Sequence, residues 1–167
     1  MGWDRGVDFE AAYRRIARHM ARAGVPARCY DAVLLIQLRN GSRVSEAVRA
    51  LRRFLEARSV EVEVEVSKKK RRETRLMVIP GEVVAAAAPC RELLGVEEKA
   101  LVNRVKSYCR YTYGFNTHSL RYAFITYLLR QGVNPSIVAR ITRHSRLDYI
   151  LRYTQEKAAE DALRNLP

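Results

Sequence analysis

His118, Arg121, His144 and Tyr153 fall in one short stretch of the chain, with Arg43 far upstream and the run Lys68-Lys69-Lys70 between them. These side chains are the parts needed to break a phosphodiester without a metal. During such a reaction extra negative charge builds on the non-bridging oxygens, a nucleophile loses a proton, and the departing sugar oxygen gains one. Arginine suits the charge best, because its planar fork grips two oxygens and stays protonated. A tyrosine phenol has an ordinary pKa of about 10. With cations and a proton acceptor close by, it becomes a covalent nucleophile.

Nothing in the sequence suggests a metal-dependent route. No tight group of Asp and Glu offers a divalent-metal site. The three cysteines (Cys29, Cys90, Cys109) and three histidines have no zinc spacing, so the expected metal and cofactor content is none. The cysteines read as reduced thiols in or near the core. Taken singly, each reactive residue has a plainer role. Arg43 reads as a surface arginine that Glu46, one turn on, would orient or simply pair with. His118 and Arg121 flank an apolar stripe, and Tyr153 is one of nine tyrosines, with Tyr149 one helical turn away.

The elements that must carry these residues can be read from periodicity. A helix is predicted over Asp8–Ala23, with Phe9, Ala12, Tyr13, Ile16 and Met20 at helical spacing and Gly24 and Pro26 closing it. A second runs from Ala27 to Leu38 and stops at Asn40-Gly41, and a third begins near Ser42. The period then changes: Val60, Val62, Val64 and Val66 alternate with Glu61, Glu63 and Glu65, as on a half-buried strand. Ser67 to Arg72 make a polar turn, and Thr74 to Ile79 return as a second strand, with a short third strand expected near Phe54. A lone hairpin is marginal, so it must lean on the helices. Helices follow over Glu82–Leu94 and Val96–Tyr111. Another carries Leu120, Ala123, Phe124, Tyr127 and Leu128 on one face, and Gly132 closes it. Asn134-Pro135 opens a short helix through Ile141, and a last helix covers Leu147–Leu163. The expected fold is α+β, predominantly α-helical, with a small antiparallel β-hairpin or three-stranded sheet.

The chain of 167 residues is long enough for one domain with its own core. Its 31 basic and 18 acidic residues leave a net charge of +13, which attracts polyanions. No apolar run reaches the roughly 18 residues of a membrane span, and the N-terminal residues form no signal-peptide core. Nucleic acid is therefore the expected partner rather than a membrane; the phosphodiester chemistry of the reactive residues suggests double-stranded DNA, and the expected location is cytoplasmic and DNA-associated. Lys69, Lys70, Arg71, Arg72, Arg104, Lys106 and Arg143 are the expected DNA contacts.

Taken together, these elements resemble the catalytic domain of the tyrosine recombinase (phage integrase) family over about residues 27–155. Gly41-Ser42-Arg43-Val44-Ser45-Glu46 matches its Gly-x-Arg-x-Ser-Glu helix start, and the lysine turn matches its hairpin lysine. His118-Ser119-Leu120-Arg121 matches its His-x-Leu-Arg, and His144 with Tyr153-Thr154 matches its second histidine and nucleophile. The resemblance implies that Tyr153 attacks the scissile phosphate, forming a 3′-phosphotyrosyl link and freeing a 5′-hydroxyl. Arg43, Arg121 and His144 would hold the phosphate, Lys68 (with Lys70 in reserve) would protonate the leaving oxygen, and His118 would assist proton transfer. It further implies a tetramer on paired DNA sites, expected to be a monomer or weak oligomer off DNA.

Two departures stand out. Thr142-Arg143-His144 replaces the usual Leu-Gly-His. The core-binding domain that normally precedes the catalytic one is expected to be absent from 1–167, which reads as a single catalytic domain, either a solo one or a piece of a longer integrase. Two other functions share these features. A type IB topoisomerase uses a similar cation and tyrosine set. A non-catalytic DNA binder or inactive integrase relic would share the charge and the helix–glycine turn–helix of Leu129–His144.

Overall fold

The computed structural model describes residues 6–144 and 148–167; the side chains of Tyr149, Ile150, Tyr153, Thr154 and Lys157 lie outside the described residues. The elements are α1 (Phe9–Arg22), α2 (Ala27–Asn40), α3 (Val44–Ala57), β1 (Glu61–Glu65), β2 (Thr74–Val78), α4 (Gly81–Ala86), a 3-10 helix (Ala88–Gly95), α5 (Glu98–Tyr113), α6 (Thr117–Arg130), α7 (Pro135–Thr142) and α8 (Asp148–Arg164). The predominantly helical α+β fold expected from the sequence is the one observed.

α2 is apolar around most of its circumference, with Ala32 to Leu38 continuously buried, the pattern of a helix enclosed by its neighbours. It packs against α1, α3, α5 and α6. α1 contributes Ala12, Ile16 and Met20 to this core, and α3 contributes Val48, Leu51, Phe54 and Leu55. A smaller cluster of Phe124, Ile125 and Val138 joins α6 to α7, and Leu151 of α8 packs on it. Caps follow the sequence. The Asp8 carboxylate accepts from Ala11 N–H at 2.8 Å, Asn116 from Ser119 N–H at 3.0 Å, and Asn134 from Ser136 N–H at 2.9 Å.

β1 and β2 pair antiparallel with Glu61 opposite Val78 and Glu65 opposite Thr74. Val62, Val64 and Met77 face the core, and β1 rests on α3.

Three expectations need correction. The strand predicted near Phe54 does not form: Phe54 lies inside α3, fully packed, and the sheet has two strands among the described residues. The helix predicted over Glu82–Leu94 is broken into α4 and the 3-10 helix, because Pro89 near the start of the second piece has no N–H to continue an α-helical ladder. The cysteines are not all reduced thiols. Cys29 and Cys90 form a disulfide with Cα atoms 5.5 Å apart, tying α2 to the 3-10 helix, while Cys109 is a buried thiol. Closing a loop across a sequence separation of 61 residues stabilises the fold by roughly 4 kcal/mol on chain-entropy grounds.

Candidate active site

Three segments that carry reactive residues converge on the turn that ends α2. Gly41 stands in the left-handed region at φ +59, which closes α2 and sends the chain into α3. Asn40 holds the end of β2: its Oδ1 accepts from Val78 N–H at 2.8 Å, and its Nδ2 donates to Val78 O at 2.9 Å. Gln37, fully buried, donates to Ser42 O at 3.2 Å and to Thr117 O at 2.9 Å, linking the start of α3 to the start of α6. Arg121 donates from Nη1 to Gly41 O at 3.2 Å. The turn thereby fixes Arg43, Arg121 and the hairpin relative to one another, although they are far apart in sequence.

Glu46 is the charge partner at this junction and is 0% exposed. Its carboxylate accepts from Arg43 N–H at 3.3 Å, Arg43 Nη1 at 3.2 Å, Ser67 N–H at 3.0 Å and Arg75 Nη1 at 3.3 Å. One buried carboxylate therefore orients an arginine of the expected site and the residue that precedes Lys68. Ser67 is tied again through its hydroxyl, 2.6 Å from that of Ser45 and 3.2 Å from Arg49 Nη1. Arg49 itself pairs with Glu98 at 2.8 Å. These contacts anchor the base of the lysine turn to α3 and α5.

Arg75 was not among the expected site residues. It points inward from β2, 2% exposed, and donates to Asn40 O at 2.6 Å as well as to Glu46. Burial, the largest influence, lowers its pKa, and Glu46 opposes that effect. The signal lay in the alternation: Arg75, Met77 and Ile79 share a face, so a core-facing β2 must bury an arginine while leaving Leu76 exposed. Tyr122 was also missed. Its ring centre lies 6.1 Å from that of His118 and 6.4 Å from that of His144, close to both histidines.

Arg121 differs from the solvent-facing arginine that the apolar stripe of α6 suggests. It is 2% exposed, and its Nη2 has no hydrogen-bond partner among the described residues. Burial first, then Arg43, lowers its pKa to about 10, so it stays protonated at neutral pH. His118 is lowered by burial and then by Arg121, Lys68, Arg43 and Lys106. His144 is lowered to about 4 by burial and then by Arg121, Arg43, His118 and Lys69. The structure thus brings Arg43, His118, Arg121, His144 and the Lys68–Lys69 end of the turn into one electropositive cluster, with Lys68 bearing on His118 and Lys69 on His144. Such a cluster of cations, with one buried guanidinium nitrogen lacking a partner among the described residues, can attract an oxyanion.

Of the expected DNA contacts, Lys70, Arg71 and Arg72 are exposed on the hairpin turn, and Arg72 pairs with Glu65. Arg104 and Lys106 are exposed on α5. Arg143 takes the left-handed conformation at φ +55 and so keeps the turn that glycine would make, at a strain of order 1 kcal/mol. Its guanidinium reaches Thr74 O at 3.4 Å. Tyr153 falls within α8, which packs on α6; its side chain, like that of Tyr149, lies outside the described residues. Among the described residues no group of His, Cys, Asp or Glu is arranged to hold a metal, and no helix is long and apolar enough to cross a membrane.

The depressed histidines have a measurable consequence. An unfolded histidine titrates near 6.5, so between about pH 4 and 6.5 the unfolded chain binds more protons than the folded one, and stability rises with pH through that window. His144 alone is expected to remove about 2 kcal/mol between pH 7 and pH 5. Thermal melts at the two pH values should show this loss, and added sulfate should shrink it by offsetting the positive field. A His118→Gln/His144→Gln variant with the same acid sensitivity as the wild type would contradict the assignment.

Comparison with known proteins fits this geometry. Over 168 aligned residues the chain is 40% identical to "Putative integrase ORF241" of Acidianus two-tailed virus, covering 98% of this chain and 68% of the relative. The chain belongs to that integrase family. It is also 27% identical to "Putative integrase V10" of Sputnik virophage, across 96% of this chain and 88% of that one. With "Uncharacterized protein MJ0770" of Methanocaldococcus jannaschii it shares 29% identity across 98% of this chain and 88% of the relative. No family model matches the chain, and no solved structure matches it. The integrase relatives agree with a protein that acts in DNA integration or recombination.

Proposed function

We propose that this integrase-like protein cuts and rejoins DNA as a tyrosine recombinase, through a 3′-phosphotyrosyl intermediate, using Arg43, Lys68, His118, Arg121, His144 and Tyr153. The observation that carries this is the buried Arg121, with its unpartnered Nη2 beside Arg43 and two histidines of depressed pKa. A scissile phosphate seated there supplies the missing acceptor and the missing negative charge. Arg43 and Arg121 stabilise the charge that grows on the non-bridging oxygens. The histidines stay neutral near pH 7, so His118 can accept the proton that the Tyr153 phenol loses as its oxygen bonds to phosphorus. The bond from phosphorus to the 5′-oxygen breaks, and Lys68 delivers a proton to that oxygen. Rejoining reverses these transfers with a new 5′-hydroxyl. The phosphotyrosyl bond retains the energy, so no ATP is required.

The lysine choice rests on the anchored base of the turn. Ser67 is held by Glu46, Ser45 and Arg49, and Lys68 follows it directly at φ +62. Lys70 lies two residues further along the turn, beyond the residue that these bonds anchor; Lys68 and Lys70 are both exposed.

The deciding experiment incubates the protein with a nicked suicide duplex and scores an SDS-resistant protein–DNA adduct. The adduct is expected in wild type, in Tyr149→Phe and in Tyr122→Phe, and should be absent in Tyr153→Phe. Survival of the adduct in Tyr153→Phe would reassign the nucleophile to whichever other tyrosine variant loses it. Failure of the wild type on every cognate site would leave a DNA-binding protein. Plasmid relaxation without strand exchange would mark a topoisomerase instead.

A further inference from the structure

The outer face of α1 carries a second positive surface, built by different residues from the cluster above. Arg14, Arg18 and Arg22 recur every fourth residue, all exposed, and with His19 they line an open groove of about 500 Å³. The groove also runs over Ala11 and Ala23, whose small side chains allow a close approach. Arg14 is 4.0 Å from Glu10, an exposed i,i+4 pair. The opposite face of α1 is locked into the core by Ala12, Ile16 and Met20, so the stripe is held rigidly outward.

His19 is not an ordinary surface histidine. Its Nδ1 lies 2.7 Å from Oδ2 of Asp31, a carboxylate that is 0% exposed. The other oxygen of Asp31 accepts from Tyr113 OH at 2.7 Å and Tyr108 OH at 3.0 Å. These contacts tie the imidazole through Nδ1 to a carboxylate that the two phenols hold in place, so the ring is fixed beside the groove it lines. The cations acting most strongly on His118 and His144 come instead from α5, α6, the start of α3 and the hairpin turn.

We propose that this face of α1 binds the phosphate backbone of a second DNA segment, so that one chain holds two duplexes. The stripe from Arg14 to Arg22 is about 12 Å long at the helical rise, a length over which one DNA strand offers three to four phosphates. The three arginines recur about 6 Å apart along the helix, near the spacing of every second phosphate along the duplex axis, and His19, held by Asp31, adds a positioned imidazole beside them. Contacts from these side chains to phosphate carry no sequence information, so binding to the backbone is independent of sequence. The inference rests on the protein acting on DNA, and it does not depend on the covalent chemistry.

The test uses the full chain, a bead-bound duplex and a free fluorescent duplex of unrelated sequence. Wild type is expected to capture the free duplex and to saturate at two duplexes per chain. Arg14→Gln/Arg18→Gln/Arg22→Gln should keep its melting temperature and bind one duplex, with capture down at least about tenfold; losing three phosphate contacts lowers the salt slope of the second step by roughly three. His19→Gln should give a smaller loss in the same direction. Tyr153→Phe should capture as well as the wild type, so a failure of strand transfer and a failure of this inference are separately visible. Saturation of wild type at one duplex, or undiminished capture by the triple variant, overturns the proposal; the second outcome would mean that bridging comes from two chains joined by other surfaces.

Discussion

Glu46→Ala is expected to lower stability by about 3–5 kcal/mol and to abolish strand transfer, a larger effect than loss of any exposed cation. The carboxylate is wholly buried and is the acid partner of both Arg43 and Arg75. Its removal leaves Arg75, at 2% exposure, as a buried charge with Arg43 and Arg121 still acting nearby. A domain of this size has only about 5–15 kcal/mol in total, so the melting temperature should fall by roughly 10 °C. The second loss is geometric. Ser67 N–H also bonds Glu46, so Arg43 and the base of the lysine turn lose their shared anchor.

Stability and alignment can be separated. Arg75→Met in the Glu46→Ala background removes the orphaned buried charge and is expected to restore much of the melting temperature. It should not restore adduct formation, because Arg43 and Ser67 remain unanchored. Melting within about 1 kcal/mol of wild type for Glu46→Ala alone would show that water, not the carboxylate, compensates these arginines.

Gly41→Ala is expected to be the most disruptive single-methyl change in the chain, costing about 3 kcal/mol or more. A Cβ at this position would lie 2.1 Å from Phe124 Cδ1 and 2.7 Å from Cε1, and the residue sits at φ +59. Alanine in the left-handed region costs of order 1 kcal/mol by itself. The remainder comes from Phe124, which is 6% exposed and cannot retreat without opening the small core that joins α6 to α7. Since Gly41 O holds Arg121, activity should fall with stability. Chemical denaturation of Gly41→Ala and of Gly41→Ala/Phe124→Leu would resolve the two parts. Trimming Phe124 should recover the steric share and leave the backbone share. Equal stability of Gly41→Ala and wild type would disprove the close approach.

These two positions show where sequence reading stops. Glu46 is legible as a partner of Arg43, because three residues along a helix start bring the two side chains together. Its bonds to Ser67 and Arg75 are not, since they depend on how the hairpin docks against α3. Arg75 is half legible: strand alternation puts it on the Met77 face, but an arginine there could equally have argued that the strand faces the other way. Gly41 reads as a helix stop, whereas its contact with Phe124 exists only because α6 crosses the end of α2. Arg143 occupies the place of a glycine, and only the folded chain reveals that it adopts the glycine's conformation. The Cys29–Cys90 bond joins residues that no spacing pattern pairs.

By itself, the sequence determined which chemistry is available and in what order it occurs along the chain. It also determined the helices, caps and alternating strand, all governed by interactions within a few residues. The tertiary structure alone decided that Arg43, His118, Arg121, His144 and the lysine turn share one electropositive cluster, and that Glu46, Gln37, Asn40 and Gly41 hold it together. Those decisions rest on buried and part-buried hydrogen bonds between residues 21 to 80 positions apart. Their strength comes from exclusion of water, which no local pattern of residues can report.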